Sequence, residues 1–218
     1  MKLDKFYAVT ATEAPFEAAE GLTSVKLETV TLGTLPLPSK RVNISDGLIL
    51  DAPASFEVPE TSADVVLTIA DLSKEQDGSH RRVAYMSLLF SKEARHALKP
   101  AVAIDYDFSL AIPVDTGTVA FYDTVEYEKL SVGGYIDYHA EEFTDVIQAV
   151  LEEAEGNGGY GTFVKLPEAH GADGLLAVAS SGFGDGVYGV TEAVAEDGTI
   201  LGLHLDFLVV GKEEWGTD

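Results

Sequence analysis

Apolar and polar residues alternate along most of this chain. From Ser24 to Leu32, Val25, Leu27, Thr29 and Thr31 oppose Lys26, Glu28 and Val30, the two-residue period of a strand. Similar runs, separated by Gly, Pro and polar clusters, predict strands at 5–9, 41–44, 48–51, 63–72, 81–90, 101–106, 162–166 and 174–179. Such regular spacing points to antiparallel sheet. One stretch breaks the period: Phe143, Val146, Ile147, Val150 and Leu151 recur at helical spacing and predict an amphipathic helix over 139–155, ended by Gly156. The expected fold class is therefore α+β, mostly antiparallel sheet covered on one face by this helix and closed by a C-terminal hairpin.

That hairpin spans the most informative stretch, Ser180 to Val210. Asp197-Gly198 sits between two β-prone runs, where a two-residue type I′ turn needs the positive φ that glycine supplies. A two-residue loop pairs Glu196 with Thr199, Thr191 with His204, Gly189 with Asp206 and Tyr188 with Phe207. Leu201, Leu203, Leu205, Phe207 and Val209 then share an apolar face with Tyr188, Val190 and Val194. The opposite face carries His204 and Asp206 beside Thr191, with Gly189, Ala193 and Gly202 leaving room around them. A polar group with small neighbours can receive a ligand or a packed loop. In the structural alternative, Asp185 and Asp206 accept hydrogen bonds from backbone N–H groups of the Gly182–Gly186 loop and only hold a turn.

The 218 residues suit a single β-rich domain over 1–218, with 1–34 as an N-terminal extension packed on it. Charge changes the picture more than length does. The chain holds 14 basic and 37 acidic side chains, net −23, and residues 110–218 alone hold three basic against 21 acidic. A field of that sign repels nucleic acid and anionic membrane and favours a basic protein partner or a divalent cation. Without cysteine there is no disulfide, thiolate nucleophile or cysteine-based zinc site. The first twenty residues lack the apolar core of a signal peptide and no run approaches a membrane span, so cytoplasm is the expected location.

Chemical motifs are sparse. Gly184, Gly186 and Gly189 fit G-x-G-x-x-G, but a hairpin follows where a dinucleotide fold needs a helix. The five histidines show no metal-ligand spacing, and no phosphate loop, EF-hand or nucleophile elbow occurs. Asp105 and Asp107 could share a cation from alternate strand positions, and Asp115-Thr116-Gly117 is a second element expected near a site. No reaction or cofactor is implied.

Several segments together resemble the bacterial proteins grouped as domain-of-unknown-function family 4241: LPLPSKRVNISDGLIL at 35–50, RRVAYMSLLFS at 81–91, IPVDTGTVAFYD at 112–123, SSGFGDGVYGV at 180–190 and LHLDFLVV at 203–210. This chain departs at Phe183, where members commonly carry tryptophan, and at Lys40, where they commonly carry glycine. The resemblance assigns no reaction. It implies that Asp115, Gly117, Gly184, Asp185, Gly186, Tyr188 and Asp206 belong to a shared pattern that converges in space.

Two functional classes fit these residues. The first is a non-catalytic binding protein, immunity-like, whose acidic half engages a basic partner. The alternative is a hydrolase in which Asp185 or Asp206 holds a divalent cation or orients His204 as a general base.

Overall fold

The computed structural model describes residues 5–16, 22–50, 54–93, 95–104, 111–130, 160–165 and 174–211. They form two antiparallel sheets. In chain order the strands are β1 (Glu13–Pro15), β2 (Ser24–Pro36), β3 (Arg41–Asp46), β4 (Ala54–Glu57), β5 (Ser62–Asp71), β6 (Arg81–Leu89), β7 (Ala97–Pro100), β8 (Ala111–Val114) and β9 (Thr118–Asp123). After the seven-residue helix α1 (Thr124–Leu130) come β10 (Gly161–Lys165), β11 (Leu175–Ser180), β12 (Gly186–Val194) and β13 (Ile200–Asp206). The larger sheet runs β1-β2-β5-β6-β13-β12-β7, with β8 also on β12; the smaller runs β10-β11-β9-β3-β4. One hydrophobic core lies between them, drawing Leu67, Met86 and Leu205 from the first and Ile44, Phe121 and Ala177 from the second.

The antiparallel reading holds, with local departures. The predicted helix over 139–155 lies outside the described residues, as do Asp105 and Asp107. Residues 5–9, expected as a strand, instead form an irregular segment that turns at Val9, whose φ is +67°. Leu48 and Ile49, also expected in a strand, form a turn because Asp46 Oδ1 accepts both of their N–H groups, at 2.9 and 3.0 Å. The strand expected from Ala101 ends earlier, as β7, at Pro100.

The C-terminal hairpin forms with a longer loop than expected. Ala195 N donates to Thr199 O and Gly198, at φ +88°, donates to Ala195 O, so three residues rather than two make the connection. A bulge between Ala193 and Val194 absorbs the one-residue offset, and Thr191 faces His204 as expected. Beyond Val190↔Leu205 the strands part. Gly189 and Tyr188 pair with Ala111 and Ile112 of β8 instead of Asp206 and Phe207.

Alternation explains one face of the central strands but not the other. β5 and β6 are buried almost throughout, including Thr68 and Ser87 on the face turned away from the second sheet. That face is covered by the segment around Phe6 to Thr10. Thr68 Oγ1 accepts Val9 N–H and Thr29 Oγ1 donates to Val9 O, both at 2.9 Å, so sheet hydroxyls satisfy the backbone laid over them.

Three buried aspartates hold the corners. Asp46 accepts five hydrogen bonds: from Leu48 N and Ile49 N, and from Asp115 N (2.8 Å), Thr116 N (2.9 Å) and Thr116 Oγ1 (2.7 Å) some seventy residues later. It thereby ties β3 to the bend by which the chain passes from β8 in one sheet to β9 in the other. Asp123 caps α1 through Val125 N and Glu126 N and also receives Ser39 N and Oγ. Asp71 accepts from Ser73 and Gly78 N; burial opposes its charge, but these donors and Arg81 outweigh it and hold its carboxyl below the usual range. Removing such an acceptor strands buried N–H groups. Asp46→Ala is expected to cost about 2–4 kcal/mol in urea unfolding, against within about 0.5 kcal/mol for the exposed Asp185→Ala. Equal effects would remove Asp46 from this role.

Candidate functional site

The sequence-predicted residues divide between two places. The first is the junction of two tight loops. Ser181 N donates to Gly117 O at 2.9 Å, and a Cβ on Gly117 would lie 3.6 Å from Gly184 Cα, so the Asp115-Thr116-Gly117 bend and the Gly182–Gly186 loop touch. The loop is held from within. Ser181 Oγ donates to Gly184 O (2.7 Å), Gly184 N to Ser181 O (3.0 Å), and the Tyr188 hydroxyl lies 2.6 Å from Gly184 O and 3.1 Å from Ser181 O. Burial raises the Tyr188 pKa, Ser181 opposes the rise and the Asp185 charge adds to it; the phenol stays protonated and donates. Gly182, at φ +60°, packs so closely that a Cβ would fall 2.6 Å from Val209 Cγ2. The left-handed conformation disfavours a side chain there, and that gap leaves no room for one.

Asp115, Gly117, Gly184, Asp185, Gly186 and Tyr188 therefore come together, around a carboxylate that sequence reasoning passed over. Asp46 supplies the buried charge under this junction, while Asp115 and Asp185 face solvent. Its signal was present in the Asp46-Gly47 pair that ends a β-prone run, a turn dipeptide of the same kind as Asp197-Gly198.

The second place is the opposite face of β13. Thr191 and His204 pair there under the N-terminal segment. His204 is 2% exposed, its Nδ1 is 2.8 Å from Ser87 Oγ, and its ring meets Phe6 edge-on at 4.9 Å. Arg95 stacks over Phe6, 4.8 Å from the ring centre, and its Nη2 donates to Ala8 O and Thr10 Oγ1. A cavity of about 690 Å³ opens beside these groups, bounded also by Thr29, Thr31 and Asp64. Asp206 is not one of its walls. That carboxylate is 5% exposed and accepts Leu208 N–H at 2.8 Å.

Burial, then the charge of Arg95, lower the His204 pKa from 6.5 to about 3. The imidazole is neutral at physiological pH and is a poor proton acceptor there. Among the described residues no cluster of three or more His, Asp or Glu side chains is placed to hold a metal ion, and no helix is long and apolar enough to cross a membrane.

A family model described as "Protein of unknown function (DUF4241)" matches residues 35–205. The chain belongs to this family. The DUF4241 match takes in Asp46, both touching loops and His204, but neither Asp206 nor the Phe6–Thr10 cover. Neither the curated proteins nor the solved structures contain a match to the chain.

The low His204 pKa links to stability with a definite sign. The unfolded imidazole binds a proton that the folded one refuses, so its stabilisation is complete above pH 6.5 and is lost as pH falls toward about 3. The expected slope is up to about 1.4 kcal/mol per pH unit in that window, flattened by His204→Gln in urea unfolding at pH 4 to 7. The His204 ring resonances should also stay unshifted between pH 8 and 5 in NMR. A titration near 6.5 would contradict the seclusion of the ring.

Proposed function

We propose that this DUF4241 protein is a non-catalytic binding protein that engages a basic protein partner, in the manner of an immunity protein occupying a basic target. The observation that carries the reading is the distribution of charge: three basic against 21 acidic side chains over residues 110–218. A surplus of that size steers encounter with cationic surfaces and raises association rates. The fate of the buried acids adds support. Asp46, Asp71 and Asp123 are occupied as acceptors inside turns, whereas Asp115, Asp185 and Asp197 stand in solvent, where charge acts at a distance.

The hydrolase alternative, in which Asp185 or Asp206 orients His204 as a base or binds a cation, draws less support. Asp185 belongs to the loop junction and is not among the residues lining the cavity beside His204, whose Nδ1 is engaged by Ser87. A base also needs a pKa near its working pH.

The test is capture from host extract on the immobilised protein, followed by kinetics with each purified candidate. The expected partner is net basic, and its association rate falls at least tenfold between 20 and 200 mM salt. A partner that is net acidic, or an association rate indifferent to salt, would overturn the reading.

A further inference from the structure

The outer face of the β8–β12 ribbon combines apolar and acidic groups on a rigid base. Burial alternates along both strands: Ile112, Val114 and Tyr188 enter the core, while the register partners Pro113 and Val187 are exposed, Val187 at 61%. Asp115 follows Val114 and Asp185 precedes Gly186, so both stand at the end of this ladder, and both are exposed. Phe183, 62% exposed, stands on the adjoining loop.

Two features of this face ask for a partner. A large aromatic side chain is held in water on a loop whose carbonyls are pinned by Ser181 and Tyr188, so little conformational freedom remains to be lost on binding. Rigid aromatic anchors of this kind dominate interface energies. Beside it, two exposed carboxylates, Asp115 and Asp185, flank the end of the ladder and offer a cation two anionic neighbours.

Resting on the reading of a basic partner, we propose that this face is where that partner docks. Phe183, Val187 and Pro113 form the apolar anchor and Asp115 and Asp185 the acidic flank for an arginine- or lysine-bearing protein segment. Its cation sits between the two carboxylates and over the Phe183 ring, and its aliphatic stem lies along Val187 and Pro113. Pro113 has no N–H to offer a further strand, so recognition runs through side chains rather than strand addition.

An octa-arginine peptide is the probe. Titrated into the ¹⁵N-labelled full chain at 20 mM salt, it should shift amides at 114–117 and 182–188 most. In fluorescence anisotropy Phe183→Ala should weaken it at least fivefold and Asp115→Asn with Asp185→Asn at least tenfold. Changing the exposed Glu57 and Glu75 to glutamine should alter it less than twofold. Phe183→Leu, which keeps apolar area and loop packing but removes the aromatic face, should fall between wild type and Phe183→Ala. If the loop variants weaken binding no more than the Glu57/Glu75 control does, the peptide is held by the diffuse field, and this surface is wrong while the basic-partner reading survives. If wild type does not bind the peptide at 20 mM salt, both fall.

Discussion

The structure depends on how sharp turns between sheets satisfy their backbone N–H groups. A two-sheet fold must carry its chain across the gap between layers, and at such corners amide hydrogens leave the ladders without reaching water. Asp46 and Asp123 meet that need with side-chain oxygens, and Asp71 does the same at the turn from β5 to β6 within the larger sheet, each accepting from donors that no strand partner serves. Asp46 does most, because its two oxygens join the end of β3 to the β8–β9 bend and so fix where the sheets meet. The Gly182–Gly186 loop rests against that bend, and its position follows from the same carboxylate.

A second constraint governs the far side of the larger sheet. Its hydroxyl-bearing positions Thr68 and Ser87 would suit solvent, yet they are buried and bond to Val9 N–H in the N-terminal segment and to His204, while the exposed Thr29 donates to Val9 O. Arg95 holds the same segment through Phe6, Ala8 and Thr10. A histidine that strand parity sets among small residues thereby becomes a secluded, neutral ring. The chemistry of that position is decided by the cover.

The acidic composition therefore divides by location. The buried Asp46, Asp71 and Asp123 act as fixed acceptors for neighbouring amides, whereas exposed carboxylates such as Asp115, Asp185 and Asp197 contribute to the long-range field. At the loop junction the two roles adjoin: Asp46 is buried beneath, and Asp115 and Asp185 are exposed above beside Phe183 and Val187. Rigidity from the first group and charge from the second are what a preformed recognition surface requires.

Much of this was legible in one dimension. Two-residue alternation located β2, β3, β5, β6, β10, β11 and the hairpin, and the Thr191↔His204 register followed from the position of the Asp-Gly turn. The convergence of Asp115 and Gly117 with Gly184, Asp185, Gly186 and Tyr188 was implied by family resemblance. The role of Asp46 was not, because its donors at Asp115 and Thr116 lie far along the chain and only folding brings them within reach. The three-residue loop at Glu196–Gly198 escaped notice because a compensating bulge leaves the same register. Local sequence determined most of the longer strands and which of their side chains share a face, since backbone sterics and pleat act over a few residues. Whether a face is open or covered, and whether a carboxylate acts as ligand or as lattice, was decided by tertiary contacts between segments remote in the chain, because burial and hydrogen-bond supply exist only once those segments meet.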